Sequence, residues 1–228
     1  MVKSKLNPAL VTFMNARASA CSADTLKPAA PSLIKERTPA FRGTPLLFLG
    51  AEGFPAAVQK QLDQMERICN ENSASVSGRL EGVQYRALIE PLVGLCYPGG
   101  ARDSILSVYA SVPCSETGKA LGHIAEIETE CGANAIAVAH LAGGLIYSHF
   151  VPETGSSPAT LPAKIHQGLR ANLANASIIV IGLRRDAVGN VPFISGNCPP
   201  PSWLAAIKRC FDPDGLMNPG IIAGQGAP

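Results

Sequence analysis

The stretch best suited to chemistry is HLAGGLIYSH, residues 140–149. His140 ends an apolar run, and Gly143 and Gly144 let a ligand approach the backbone closely. Alternation along the following strand puts Tyr147 and His149 on one face, two residues apart. An imidazole in this setting serves as a metal ligand or as a base near neutral pH. The same ten residues equally describe a tight hairpin with a histidine at each margin. Arg184 and Arg185 follow a second apolar run and suit bidentate capture of a carboxylate, or simple solvation at a strand end. His123 and His166 fall on helical segments and read as exposed, structural residues. There is no Gly-rich dinucleotide or P-loop motif and no G-x-S-x-G nucleophile elbow.

These residues need strands to hold them, and the pattern supplies strands and helices in alternation. Leu46–Gly50 reads as a short buried strand, followed by a helix over Phe54–Ser73 with Val58, Leu62, Met65 and Cys69 on one face. Ser75–Leu80 reads as an alternating strand, and Tyr85–Val93 is ambiguous between helix and strand. A second round has strands at Ile105–Val112, Ala135–Ala139 and Gly144–Val151, with a helix over Ser115–Glu130. Leu161–Ala174 is then a helix and Ile178–Leu183 a strand. The expected fold is α+β, with ferredoxin-like repeats sharing one antiparallel sheet and helices on one face.

The end of the chain is unusually constrained. Trp203, Leu204, Ile207 and Phe211 recur at helical spacing, so residues 202–211 read as a short amphipathic helix. Asp212-Pro213-Asp214-Gly215 has the residues of a type I turn, and Asn218-Pro219-Gly220 those of a type II turn. Leu216 and Met217 lie between these corners. The segment reads either as a cap for the core or as a surface of fixed shape for docking.

The totals exclude several classes. The 228 residues suit one domain, or a domain with a tail, and 46% hydrophobic with 16% charged residues describes a globular chain. A net charge of +2 gives no reason to expect nucleic acid, and no apolar run approaches the roughly 18 residues of a membrane span. Residues 1–44 carry a net charge of +5, with Pro28, Pro31 and Pro39 among them and no sustained period, so they read as a basic, loosely ordered leader or linker before a domain at 45–228. Seven cysteines with no C-x-x-C spacing suggest reduced thiols in the cytoplasm.

Three stretches resemble one known family. Residues 105–150, 198–220 and 47–69 are similar to the C-terminal substrate or cap domain of FAD-linked oxidases of the vanillyl-alcohol oxidase type. CPPPSWLAAIKRCFDPDGLMNPG matches the family's closing signature, and the nearest likeness is to the FAD-binding accessory subunit of bacterial glycolate oxidase. The resemblance implies a component of an FAD-dependent oxidoreductase acting on a 2-hydroxy acid, with hydride passing to the flavin. His140, Tyr147 and Arg184 would be polar groups of the substrate pocket, and Asn218, Pro219 and Gly220 would lie near FAD. Family members that oxidise 2-hydroxy acids carry H-x-G-D-G-N-x-H, with metal-ligating histidines. Here Gly143, Leu145 and Tyr147 replace the aspartate, the asparagine and the last histidine, so no metal is expected and a metal-dependent hydrolase is disfavoured.

The family's Gly-rich flavin domain is absent from these residues, so FAD and activity are expected to need a partner chain or domain that carries it. The alternative is a non-catalytic assembly subunit, whose basic leader meets an acidic partner or the periphery of the inner membrane.

Overall fold

The computed structural model of the chain describes residues 8–26, 43–74, 78–97, 99–155, 159–184 and 191–217. Within them lie six α-helices and one antiparallel sheet of seven strands, ordered β2-β1-β4-β5-β3-β6-β7. The chain is therefore α+β. The succession β3-α4-β4-β5-α5-β6 with strand order β4-β5-β3-β6 is the ferredoxin-like arrangement. It occurs once in full among the described residues; the remaining strands are β1, β2 and the short β7. Two compact units divide the chain, one of residues 1–101 and 136–145, the other of residues 102–135 and 146–228.

The first unit opens with β1 (Leu10–Met14) and α1 (Ala16–Leu26). The expected loose leader over residues 1–44 is corrected here for its described part. β1 pairs with β2 (Leu46–Gly50) from Leu10↔Gly50 to Met14↔Leu46, and with β4 (Ala133–His140) through Thr12↔His140, Phe13↔Ala139 and Met14↔Val138. Pairing on both edges and burial of Val11, Thr12 and Met14 hold a strand whose flanking sequence gives little sign of one. Asn15 then starts α1. Its Oδ1 accepts the Ala18 N–H at 2.9 Å, an N-cap bond, and the Ala137 N–H of β4 at 3.2 Å.

Helix α2 (Pro55–Glu71) follows, with Pro55 in its first turn and Met65 buried. The strand expected at Ser75–Leu80 is not found in its described part. Residues 78–80 are irregular, and Arg79 reaches back to Asp63 (2.7 Å) and Glu66 (2.6 Å) of α2. The ambiguous segment resolves as α3 (Gly82–Gly94), which tolerates Pro91 near its end and closes with the Leu95 N–H on the Pro91 carbonyl. A turn follows, with the Gly100 N–H on the Tyr97 carbonyl at 3.0 Å. A Cβ at Gly100 would meet the Gly94 oxygen at 2.3 Å, so this tight return demands glycine.

The second unit holds β3 (Leu106–Ser111), α4 (Thr117–Cys131), β5 (Leu145–Pro152), α5 (Leu161–Asn172), β6 (Ser177–Leu183), β7 (Ile194–Gly196) and α6 (Pro201–Phe211). Its core includes Ile105, Leu106, Ile127, Ile146, Phe150, Ile165 and Ile178, all fully buried. Gly132 ends α4 in the left-handed region at φ 66°. Gly168 lies where a Cβ would come 3.3 Å from Ile127, which lets α5 approach α4 closely. His166 departs from its expected exposure. It is buried, with Nε2 2.9 Å from Ser195 Oγ of β7, because β7 brings a polar partner over α5.

Helix α6 does not bury its apolar face. Trp203 is 67%, Ile207 55% and Phe211 81% exposed, and Leu216 and Met217 beyond it are 80% and 65% exposed. The turn after it is nonetheless well made. The Gly215 N–H reaches the Asp212 carbonyl at 3.2 Å, while the Asp212 carboxylate accepts the N–H groups of Leu216 (2.8 Å) and Met217 (2.9 Å) and pairs with Lys208. The Lys208 bond, then the two backbone donors, hold the Asp212 carboxyl below its ordinary range.

Candidate functional site

His140 lies at the end of β4 in the first unit, half-buried. Thr12 is its register partner on β1, so the two side chains share a face of the sheet. The fully buried Thr12 Oγ1 is 2.8 Å from His140 Nδ1. On the other side of the ring, Nε2 is 3.5 Å from Sγ of Cys96, just past the end of α3. The Cys96 thiol has a second acceptor, the Leu92 carbonyl, at 3.3 Å. Three elements far apart in sequence thus bring a hydroxyl, an imidazole and a thiol together within one unit.

Electrostatics leave this group neutral at rest. Burial pushes the Cys96 thiol up to about 11 and pushes the His140 imidazole down, because each charged form loses hydration there. A neutral imidazole carries one hydrogen. When Nδ1 holds it and donates to Thr12 Oγ1, the Nε2 lone pair faces Cys96 and can accept a proton. A nucleophile within reach of a base, with the base oriented by a third group, is a recognisable chemical arrangement.

The other candidate residues lie elsewhere. Tyr147 is on β5 in the second unit, half-buried, its ring packed against Tyr109 with centroids 5.2 Å apart at 53°. Arg184 is exposed just beyond β6, in the same unit as Tyr147, and its backbone N–H is bonded to the Ile105 carbonyl at 3.1 Å. No single unit contains all three. His149 faces the core of the second unit, fully buried, with Nδ1 2.8 Å from Ser107 Oγ, which itself lies 3.2 Å from Ser104 Oγ. Asn218, Pro219 and Gly220 lie outside the described residues, as does Arg185.

Sequence reading missed Thr12 and Cys96. Cys96 opens the punctuated segment Cys-Tyr-Pro-Gly-Gly, a local sign of a fixed position. Thr12 carries no comparable signal, since its place beside His140 follows from strand register alone.

Among the described residues, no three His, Cys, Asp or Glu side chains are grouped to hold a metal ion, and no helix is long and apolar enough to cross a membrane. A cavity of about 110 Å³ lies in the second unit, lined by Glu116, Lys119, His123 and Asn175 among others. It is well below the roughly 300 Å³ at which small-molecule pockets begin, so it does not enclose a flavin dinucleotide. The sequence carries no Gly-rich phosphate loop of the dinucleotide kind.

No curated protein matches the chain. The family model of FAD linked oxidases, C-terminal domain, matches residues 1–157 and 202–222. The match begins inside the segment read as a leader, in keeping with the place of β1 in the sheet. It takes in His140, Tyr147 and the α6 turn, whereas Arg184 falls between the matched segments. With most of its length matched, the chain belongs to the family of FAD linked oxidases, C-terminal domain, and represents a C-terminal part of such an oxidoreductase.

Proposed function

We propose that this chain supplies the substrate-covering part of an FAD-dependent oxidoreductase acting on a 2-hydroxy acid of the glycolate type, with the flavin held by a separate domain or chain. The family match over residues 1–157 and 202–222 carries this reading. The 2-hydroxy acid rests on the likeness of the hairpin at residues 140–149 to that of the glycolate oxidase accessory subunit. In this reading His140, Tyr147 and Arg184 are polar groups offered to the substrate, each to be tested separately, and Arg184 meets its carboxylate. Asn218, Pro219 and Gly220 approach the flavin.

A second reading, a non-catalytic assembly subunit, draws on α6. Trp203, Ile207 and Phe211 form an exposed apolar stripe of the kind that marks interaction sites.

One experiment separates the two. The chain is purified alone and together with an FAD-domain-bearing chain from the same genome, and dye reduction is followed with glycolate and D-lactate. The substrate-covering reading expects a colourless isolated chain and 2-hydroxy acid oxidation by the flavin-containing pair. Arg184→Ala should then raise KM with little change in kcat, while the pair still assembles. If Arg184→Ala, His140→Ala and Tyr147→Phe all leave kinetics untouched but Trp203→Ser abolishes assembly, the assembly reading replaces it. Oxidation of phenolic alcohols but not of 2-hydroxy acids would overturn the substrate class.

A further inference from the structure

We infer that Cys96 is a site of thiol–disulfide exchange with small neutral disulfides, with His140 as its base and Thr12 as the group that orients His140. The inference shares His140 with the substrate reading, but it is tested on the chain alone with no flavin or 2-hydroxy acid, so the two can fail separately.

The geometry has three parts. Cys96 Sγ and His140 Nε2 are 3.5 Å apart, within the 4.0 Å reach of a sulfur hydrogen bond. Thr12 Oγ1, fully buried and 2.8 Å from Nδ1, sets the ring, and with the hydrogen on Nδ1 the Nε2 lone pair can accept from Cys96. Access comes from the loop: Cys96 and His140 are half-buried, and Tyr97, Gly99 and Gly100 beside the thiol are exposed. Backbone bonds from the Cys96 N–H to the Val93 carbonyl (2.9 Å) and from the Gly100 N–H to the Tyr97 carbonyl (3.0 Å) hold the residues on either side of the thiol.

The chemistry balances without an added oxidant beyond the disulfide. As the Cys96 Sγ–H bond breaks, its proton passes to His140 Nε2, and Sγ attacks one sulfur of the disulfide R–S–S–R. The S–S bond breaks, R–S⁻ leaves, and it takes the proton back from the imidazolium. The products are Cys96–S–S–R and R–SH, and His140 returns to its starting form. The Cys96 sulfur and the sulfur it joins become a disulfide, while the departing sulfur is reduced to a thiol.

His140 has a clear role because Cys96 holds its proton at rest. A half-buried thiol without a base would exchange slowly at neutral pH, since the thiolate is the nucleophile. A base already in contact lets the proton leave as the new S–S bond forms. Positioned bases typically contribute about 10²–10⁴-fold.

The test incubates the full-length chain with hydroxyethyl disulfide at pH 7.5 and follows modification at each cysteine by peptide mass spectrometry. Cys114 and Cys210, both exposed, serve as internal references. The expected result is a mixed disulfide on Cys96 whose rate falls at least tenfold in His140→Gln, with the Cys114 and Cys210 rates unchanged. Thr12→Val, which keeps His140, should slow Cys96 by a smaller factor of about three or more. A Cys96 that stays unmodified after Cys114 and Cys210 have reacted fully would overturn the inference. So would a Cys96 rate that is unchanged or faster in His140→Gln with the reference rates preserved. If His140→Gln unfolds, the half-buried thiols of Cys69, Cys131 and Cys198 gain reactivity together and Thr12→Val decides alone: an unaltered Cys96 rate there also overturns it.

Discussion

His140 and His149 bound the same ten residues, and each has Nδ1 2.8 Å from a hydroxyl, Thr12 in one case and Ser107 in the other. Their surroundings then diverge. His149 is fully buried in the core of the second unit, in a chain of hydroxyls running through Ser107 to Ser104. His140 is half-buried and turns Nε2 towards the Cys96 thiol. Equal residue type and an equal first hydrogen bond therefore do not give equal roles. Solvent access and the second neighbour decide between a histidine that holds the core and one placed for proton transfer.

The sharpest way to break this comparison is to remove each ring. His149→Ala leaves a cavity in the core and removes one of the partners of the Ser107 hydroxyl, and should cost about 3 kcal/mol in urea unfolding. His140→Gln should cost less than about 1 kcal/mol while changing Cys96 reactivity. Equal losses would place both histidines in the structural class.

Next in size is the turn that presents Cys96. Gly100→Ala drives a methyl group against the Gly94 oxygen and the Leu95 Cα, both backbone atoms that cannot swing away. A loss of about 1–3 kcal/mol is expected, together with loss of the His140 dependence of Cys96 exchange. Unaltered stability would show that the turn relaxes freely.

Asn15→Ala removes the α1 cap and strands the Ala137 N–H of β4, at an expected cost of about 1–2 kcal/mol. The same denaturant titration measures it.

His166 offers a comparison by pH. Burial, then the nearby Arg170 charge, hold its imidazole below the usual value, and burial does the same for His140. A histidine depressed in the folded state binds its proton more readily when unfolded. Its contribution is whole above the ordinary histidine value and is lost as pH falls below about 6.5. Stability should therefore decline between pH 7 and 5, by at most about 1.4 kcal/mol per pH unit for one such group. His166→Asn should flatten part of that decline, and an unchanged slope would remove His166 from the account. The depressed Asp212 carboxyl adds its own loss only at more acidic pH, below the ordinary aspartate value.

The smallest effect on stability belongs to α6. Trp203→Ser or Phe211→Ser should change unfolding by less than about 0.5 kcal/mol, because these side chains are exposed. Binding of a hydrophobic dye should fall. A large loss of stability instead would mean that α6 packs inward in solution.

Periodic segments were legible in the sequence because one buried face repeats along them. The helices at Pro55–Glu71, Thr117–Cys131 and Leu161–Asn172 and the strands at Leu106–Ser111 and Ser177–Leu183 fall close to where apolar spacing puts them. Three features were not legible. β1 is five residues long in a basic, proline-bearing segment, and only its pairing with β2 and β4 makes it a strand. The Tyr85–Val93 segment hid a helix because Pro91 obscures its period. His166 looked exposed because its cover, Ser195, comes from a strand 29 residues further on.

By itself the sequence determined the α+β class, the turn at Asp212–Gly215 and the family likeness of residues 140–149 and 198–220. Each rests on neighbours within a few residues, where backbone preference and apolar spacing act directly. Tertiary structure alone decided that Thr12, Cys96 and His140 meet. Their separations of 44 and 128 residues from His140 leave no local trace, and only the register of β1 on β4 and the turn after α3 bring them within bonding distance.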